Sequence, residues 1–165
     1  MRQAQREIKD IDAIEDILRR AQVMHLGLAS SDDMMQPYIV PLSYGFERRG
    51  SGFIFYFHCA HEGRKMDLFH DGQKVVTVEI DILNGYKDTG HSITADYESY
   101  MGTGFLAETE TPEEKIHGLQ LILDHCGVSG YSAETCAATS RVCVMKVCVN
   151  EGNYTAKKRF PEQNG

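Results

Sequence analysis

Residues Phe53 to Leu68 read FIFYFHCAHEGRKMDL. A continuous apolar and aromatic run, Phe53 to His58, has the composition of a buried strand. It ends in a polar loop carrying His58, Cys59 and His61. Gly63 and two adjacent cations, Arg64 and Lys65, precede a short helical stretch, Met66 to His70. The segment therefore reads as strand, loop and helix start. A helix start exposes unpaired N–H groups and a partial positive charge, so cations there are disfavoured unless an anion offsets them. Arg64 and Lys65 at that position point to a phosphate, and the adjoining strand rim suits a flat ring.

Outward from this stretch the pattern is mostly β. Val23 to Ala29 reads as a strand and SSDDMM, residues 30–35, as a turn. Pro37 to Phe46 alternates, with Tyr38, Val40, Leu42, Tyr44 and Phe46 on one face. Pro41 removes a ladder donor and places that strand at an edge or a bulge. ERRGSG is the next turn, so these strands and Phe53 to His58 are expected to form an antiparallel meander. Val75 to Ile80 is a further strand. Residues 81–96 read as a long polar loop, of a length that is often functional. Tyr97 to Ala107 is a strand in which Gly102 and Gly104 mark a bulge or a close approach. Arg141 to Val149 is the last strand.

Two helices flank these strands. Ile14, Ile17, Leu18 and Ala21 recur at helical spacing over about 12–21, behind an Asp12 and Glu15 pair with capping-box-like spacing. Thr111-Pro112-Glu113-Glu114 combines an N-cap, a first-turn proline and a capping box. Ile116, Leu119, Ile122 and Leu123 give that helix its apolar face. About six strands with two helices suggest a small antiparallel barrel with closed edges and a ligand at its rim. The 165 residues are read as one domain, with 1–10 a polar arm and 150–165 a polar tail.

Composition narrows the partners. The net charge is −7, from 24 acids against 17 bases, which argues against a nucleic acid or an anionic membrane surface. No apolar run approaches a membrane span, and MRQAQREIKD is too polar for a secretory signal. Cys59, Cys126, Cys136, Cys143 and Cys148 are odd in number and contain no CxxC, so a reducing cytoplasm without a disulfide framework is expected. His58, Cys59 and His61, with His91 or His125, lack the spacing of a zinc site, and no metal is assigned. Tyr97, Ser99 and Tyr100 adjoin the glycine pair, which is not a dinucleotide fingerprint because no helix follows it.

Three motifs in this order carry a resemblance: Pro37-Tyr38-Ile39-Val40-Pro41-Leu42-Ser43-Tyr44-Gly45-Phe46; Tyr56-Phe57-His58-Cys59-Ala60 with Gly63-Arg64-Lys65; and Tyr97-x-Ser99-Tyr100-Met101-Gly102-x-Gly104. From about residue 4 to 149 the chain resembles the nitroimidazole-resistance (Nim-type) proteins among the pyridoxamine-phosphate-oxidase-like flavin-binding split barrels. The resemblance implies a six-stranded antiparallel split β-barrel, mainly β with flanking helices, forming a homodimer with FMN in clefts at its interface. It implies that Arg64 and Lys65 hold the FMN phosphate and that the backbone of Val40, Pro41, Leu42 and Ser43 borders the ring. His58, Cys59, Ala60, Gly63, Ser99 and Tyr100 complete the expected cofactor site, with FAD or haem as alternative occupants. The end of the chain reads Thr155-Ala-Lys-Lys-Arg-Phe-Pro without a tryptophan, unlike the Trp-Arg-type ending of true vitamin B6 oxidases. The expected function is reduction of a nitro compound or other small acceptor. The other reading is a non-catalytic flavin- or haem-binding module, with a metal-dependent hydrolase a third. His58, at the end of the central strand, is the expected catalytic residue, because an imidazole can donate a proton or hold an anionic substrate.

Overall fold

The computed structural model describes residues 4–29 and 36–160. Helix α1 (Ile11–Arg20) begins at Asp10, whose carboxylate accepts the Asp12 N–H; the cap is Asp10 rather than the expected Asp12. Its buried Ile14, Ile17 and Leu18 face the sheet. Strands β2 (Met24–Leu28) and β3 (Tyr38–Leu42) pair antiparallel, and the expected turn at 30–35 lies outside the described residues. Strands β4 (Gly45–Arg49) and β5 (Gly52–Cys59) form a tight hairpin in which Gly50 takes a φ of 60°. Helix α2 (Arg64–His70) follows, then β6 (Val75–Asp88), β7 (Ile93–Glu108), α3 (Pro112–His125) and β8 (Cys143–Val149).

The sheet order is β3-β2-β6-β7-β8-β5-β4, and every pairing is antiparallel. The expected meander is therefore corrected. The alternating run Pro37 to Phe46 divides at Ser43, and its halves lie at opposite ends of the sheet. Pro41 sits on edge strand β3, facing His25, where its missing N–H costs no ladder bond. The hydroxyl of buried Tyr44 lies 2.6 Å from the Leu18 carbonyl and 3.2 Å from that of Ala21, fixing the crossing to the end of α1. The expected closure is also corrected: β3 and β4 do not pair, so the sheet curls without closing. This is the split-barrel architecture, mainly β with flanking helices.

Two segments read as irregular are strands. Residues 81–96 are the far half of the β6–β7 ribbon, with partners Ile82 and Glu98, Tyr86 and Ala95, and a register shift at Gly85. The arm and tail also pair. Strand β9 (Tyr154–Lys158) lies against β7 and against β1 (Glu7–Ile8), with Glu7 opposite Lys157 and Ile8 opposite Ala156. The described chain thus carries nine strands rather than six.

Inward side chains form one core in which Phe53, Phe55, Phe57, Leu26, Val78, Tyr100 and Val147 are fully buried. Burial of each large side chain contributes roughly 1.5–3 kcal/mol. The glycine pair makes a close approach without a bulge. A Cβ on Gly104 would lie 2.6 Å from Val147, and one on Gly102 would lie 2.9 Å from Val149. Helix α3 starts as expected, with the Thr111 hydroxyl accepting the Glu114 N–H, and covers the other side of β5 through Tyr56, Ile122 and Val144.

Candidate functional site

Strand β5 ends at Cys59, and α2 begins at Arg64, two residues before the expected Met66, so both cations lie in its first turn. Gly63 makes the turn at a φ of 114°, which an L side chain rarely adopts. No side chain caps the helix start. The Arg64 guanidinium lies 5.0 Å from the Tyr38 ring centre on β3, and the Lys65 ammonium 5.2 Å from that of Phe57 on β5. Neither cation has an ion-pair partner among the described residues. Lys65 is half-buried, and burial pulls its ammonium below the ordinary lysine range. Two adjacent positive charges, one partly desolvated, could hold an anion.

The other expected site residues divide around this pair. Val40 and Leu42 point into the core, while Pro41 and Ser43 are exposed. The outer edge of β3 has no strand partner, leaving backbone donors and acceptors available to a planar heterocycle. Arg64 over Tyr38 brings β3 to the cation pair. Cys59 packs on α2 through Met66, 3.7 Å away, and burial raises its thiol. Ala60 is exposed in the connecting loop.

His58 alternates with Phe57 and Cys59 and so points to the opposite face of the sheet. It lines a pocket with Leu119, Ile122, Leu123, Cys136 and Val142, beneath α3. The structure does not bring it to the Arg64–Lys65 face within one chain. Tyr100 is a core residue, stacked on Tyr154 at 5.4 Å, and its hydroxyl has no hydrogen-bond partner. Ser99 points outward, opposite Asp81. His125 is structural: its Nε2 lies 2.8 Å from the Ala21 carbonyl and its ring 4.4 Å from Tyr44.

One sheet face lacks any helix over β3, β2, β6 and β7 among the described residues. Ile39, Val75, Met101 and Phe105 stand exposed on it by half or more. His25, Glu79 and Asp81 share this face, with ligand atoms within 4.8 Å of one another. Burial, then Asp81, raises the Glu79 carboxyl, while His25 opposes them at 3.0 Å. This cluster was not apparent in sequence because it joins residues of two strands.

The pyridoxamine 5'-phosphate oxidase family profile matches residues 10–147. The chain belongs to that family. No curated protein matches the sequence. Among solved structures, the chain is similar to a candidate 5-nitroimidazole antibiotic resistance protein from Bacteroides thetaiotaomicron. They share 28% identity over 92% of this chain and 86% of that one, with a TM-score of 0.75. It shares the fold of a FAD-binding protein from Mesorhizobium loti, at 15% identity, 94% and 98% coverage and a TM-score of 0.65. It also shares the fold of a FAD and haem binding protein from Mycobacterium smegmatis, at 14% identity, 97% and 77% coverage and a TM-score of 0.75. The family match spans all three motifs that suggested it: the β3 stretch, the β5–α2 junction and the glycine-bearing β7. No described helix of this family member is long and apolar enough to cross a membrane.

Proposed function

We propose that this chain binds FMN at the Arg64–Lys65 face, works as a homodimer, and carries electrons to a small nitro-class acceptor. The observation that carries the reading is Lys65, a half-buried ammonium beside Arg64 with no carboxylate partner among the described residues. A phosphate monoester supplies the missing negative charge, and charge-assisted bonds to it are individually strong. FMN ends in such a group. The free edge of β3 beside Tyr38 gives its ring system backbone partners along Val40 to Ser43. The nitro-class acceptor is favoured by the 28% identity to the Bacteroides protein. FAD and haem, bound by neighbours of the same fold, are the competing ligands. His58 lies across the sheet, so its part in turnover requires access from that second face.

The test is reconstitution with FMN, FAD and haem, followed by anaerobic reduction with dithionite and addition of a nitroimidazole. Stoichiometric FMN binding, bleaching, and reoxidation by the nitro compound are expected. No flavin uptake removes the proposal. Flavin that bleaches but is not reoxidised by any acceptor supports the module reading instead. His58→Ala is expected to retain FMN affinity.

The dimer rests on the open face bearing Ile39, Val75, Met101 and Phe105. An uncovered apolar sheet face favours association, most simply as a two-fold pair. Phe105→Glu is expected to convert a sedimenting dimer into a monomer at micromolar concentration. A monomeric wild type that still holds flavin would overturn this part.

A further inference from the structure

Four sulfur atoms converge where α2 meets the inner face of β5 and β8. Cys59 and Cys143 are direct antiparallel partners, so their side chains leave the same face of the sheet side by side. The Cys59 Sγ lies 3.7 Å from the Met66 Sδ, and the Cys143 Sγ lies 3.6 Å from the Met145 Sδ. Met66, Cys143 and Met145 are at most 4% exposed, while Cys59 opens toward the connecting loop. Cysteine and methionine are ordinary core residues, and one such contact would be ordinary packing. Two thiols on paired strand positions, each touching a thioether, form a donor set of one chemical kind. An ion with tetrahedral metal–sulfur bonds of ~2.3 Å sets its sulfurs ~3.8 Å apart. The two thiol–thioether spacings are close to that edge, and the paired strand positions of Cys59 and Cys143 set the two pairs beside one another.

We propose that Cys59, Cys143, Met66 and Met145 form a binding site for a soft monovalent cation, copper(I). Thiolate and thioether donors together select copper(I), whereas zinc is served by cysteine, histidine and carboxylate. On binding, each thiol releases one proton to solvent and copper stays in the +1 state throughout. Two thiolates around one monovalent ion leave a net negative charge. Lys65 faces both cysteines and offsets it. Glu108, whose Oε1 lies 3.2 Å from the Cys143 Sγ, accepts the thiol hydrogen in the metal-free protein. Its four sulfur ligands are not part of the proposed flavin site, and Lys65 is the one group the two share.

The experiment is anaerobic titration of the reduced full chain with copper(I) supplied as its acetonitrile complex, against a bathocuproine competitor. It is carried out in a Cys126→Ser, Cys136→Ser background, because those two thiols are exposed. One copper per chain is expected, with an X-ray absorption shell of sulfur only. Met66→Leu with Met145→Leu keeps core volume. It should retain the stoichiometry while weakening affinity on the order of 10- to 100-fold. Cys59→Ser with Cys143→Ser should abolish the tight site. Tight copper retained by that cysteine variant would overturn the proposal. So would a methionine variant with wild-type affinity and an unchanged sulfur shell, which shows that the thioethers are not ligands.

Discussion

Replacing Arg64 and Lys65 together by alanine is expected to weaken FMN binding by two to four orders of magnitude. Each cation would make a charge-assisted bond worth roughly 1.5–3 kcal/mol, and every ~1.4 kcal/mol is tenfold in affinity. Arg64→Ala alone should lose roughly 10- to 150-fold. Lys65→Ala should lose less, because an ammonium does not present a planar fork. Fluorescence titration of the flavin measures both. Lys65→Met separates a binding role from a structural one. Burial disfavours the Lys65 charge in the folded chain. Removing that charge while keeping the apolar stem over Phe57 should therefore raise the melting temperature of flavin-free protein and weaken FMN. A variant that loses stability without losing affinity would show that Lys65 holds the fold and not a ligand.

Gly45→Ala is expected to be the most damaging small substitution, costing about 3 kcal/mol or more. A Cβ there would fall 2.5 Å from the Ile122 nitrogen and 2.6 Å from the Leu121 oxygen. These are backbone atoms of α3, so no side-chain rotation relieves the overlap. The helix must lift from β4, which also loosens Gly118 from Tyr56. Chemical denaturation should show a lower midpoint. A Gly45→Ala protein with wild-type stability would mean that α3 docks more loosely than described.

The β5–α2 junction was legible because its signals are local: an apolar strand, a glycine with positive φ, then the cations. The two flanking helices were readable for the same reason, apart from the shift of the first cap to Asp10. The division of Pro37 to Phe46 was not readable, because a chain that leaves one sheet edge for the other can keep its alternation. Past Ile82 the β6 half of the ribbon is largely exposed, so periodicity carries little information there. Strand β9 buries only Ala156 fully and otherwise looks like a polar tail. At the site, alternation along β5 already separated His58 from Cys59, and the core partners of Phe57 turn that separation into opposite faces of the sheet. The sulfur cluster joins β5, α2 and β8, and no sequence spacing announces it.

The pairing of β1 with β9 has a consequence for synthesis. Ile8 meets Ala156, so this ladder joins residues separated by almost the whole chain. A nascent polypeptide emerging from the ribosome can curl β2 through β8 early, yet Glu7 and Ile8 must wait for Lys157 and Ala156 to be made. Contacts of such long range close late and slowly. During that interval the outer edge of β7 beside Glu98 to Gly102 lacks its cover, the condition in which neighbouring nascent chains cross-pair.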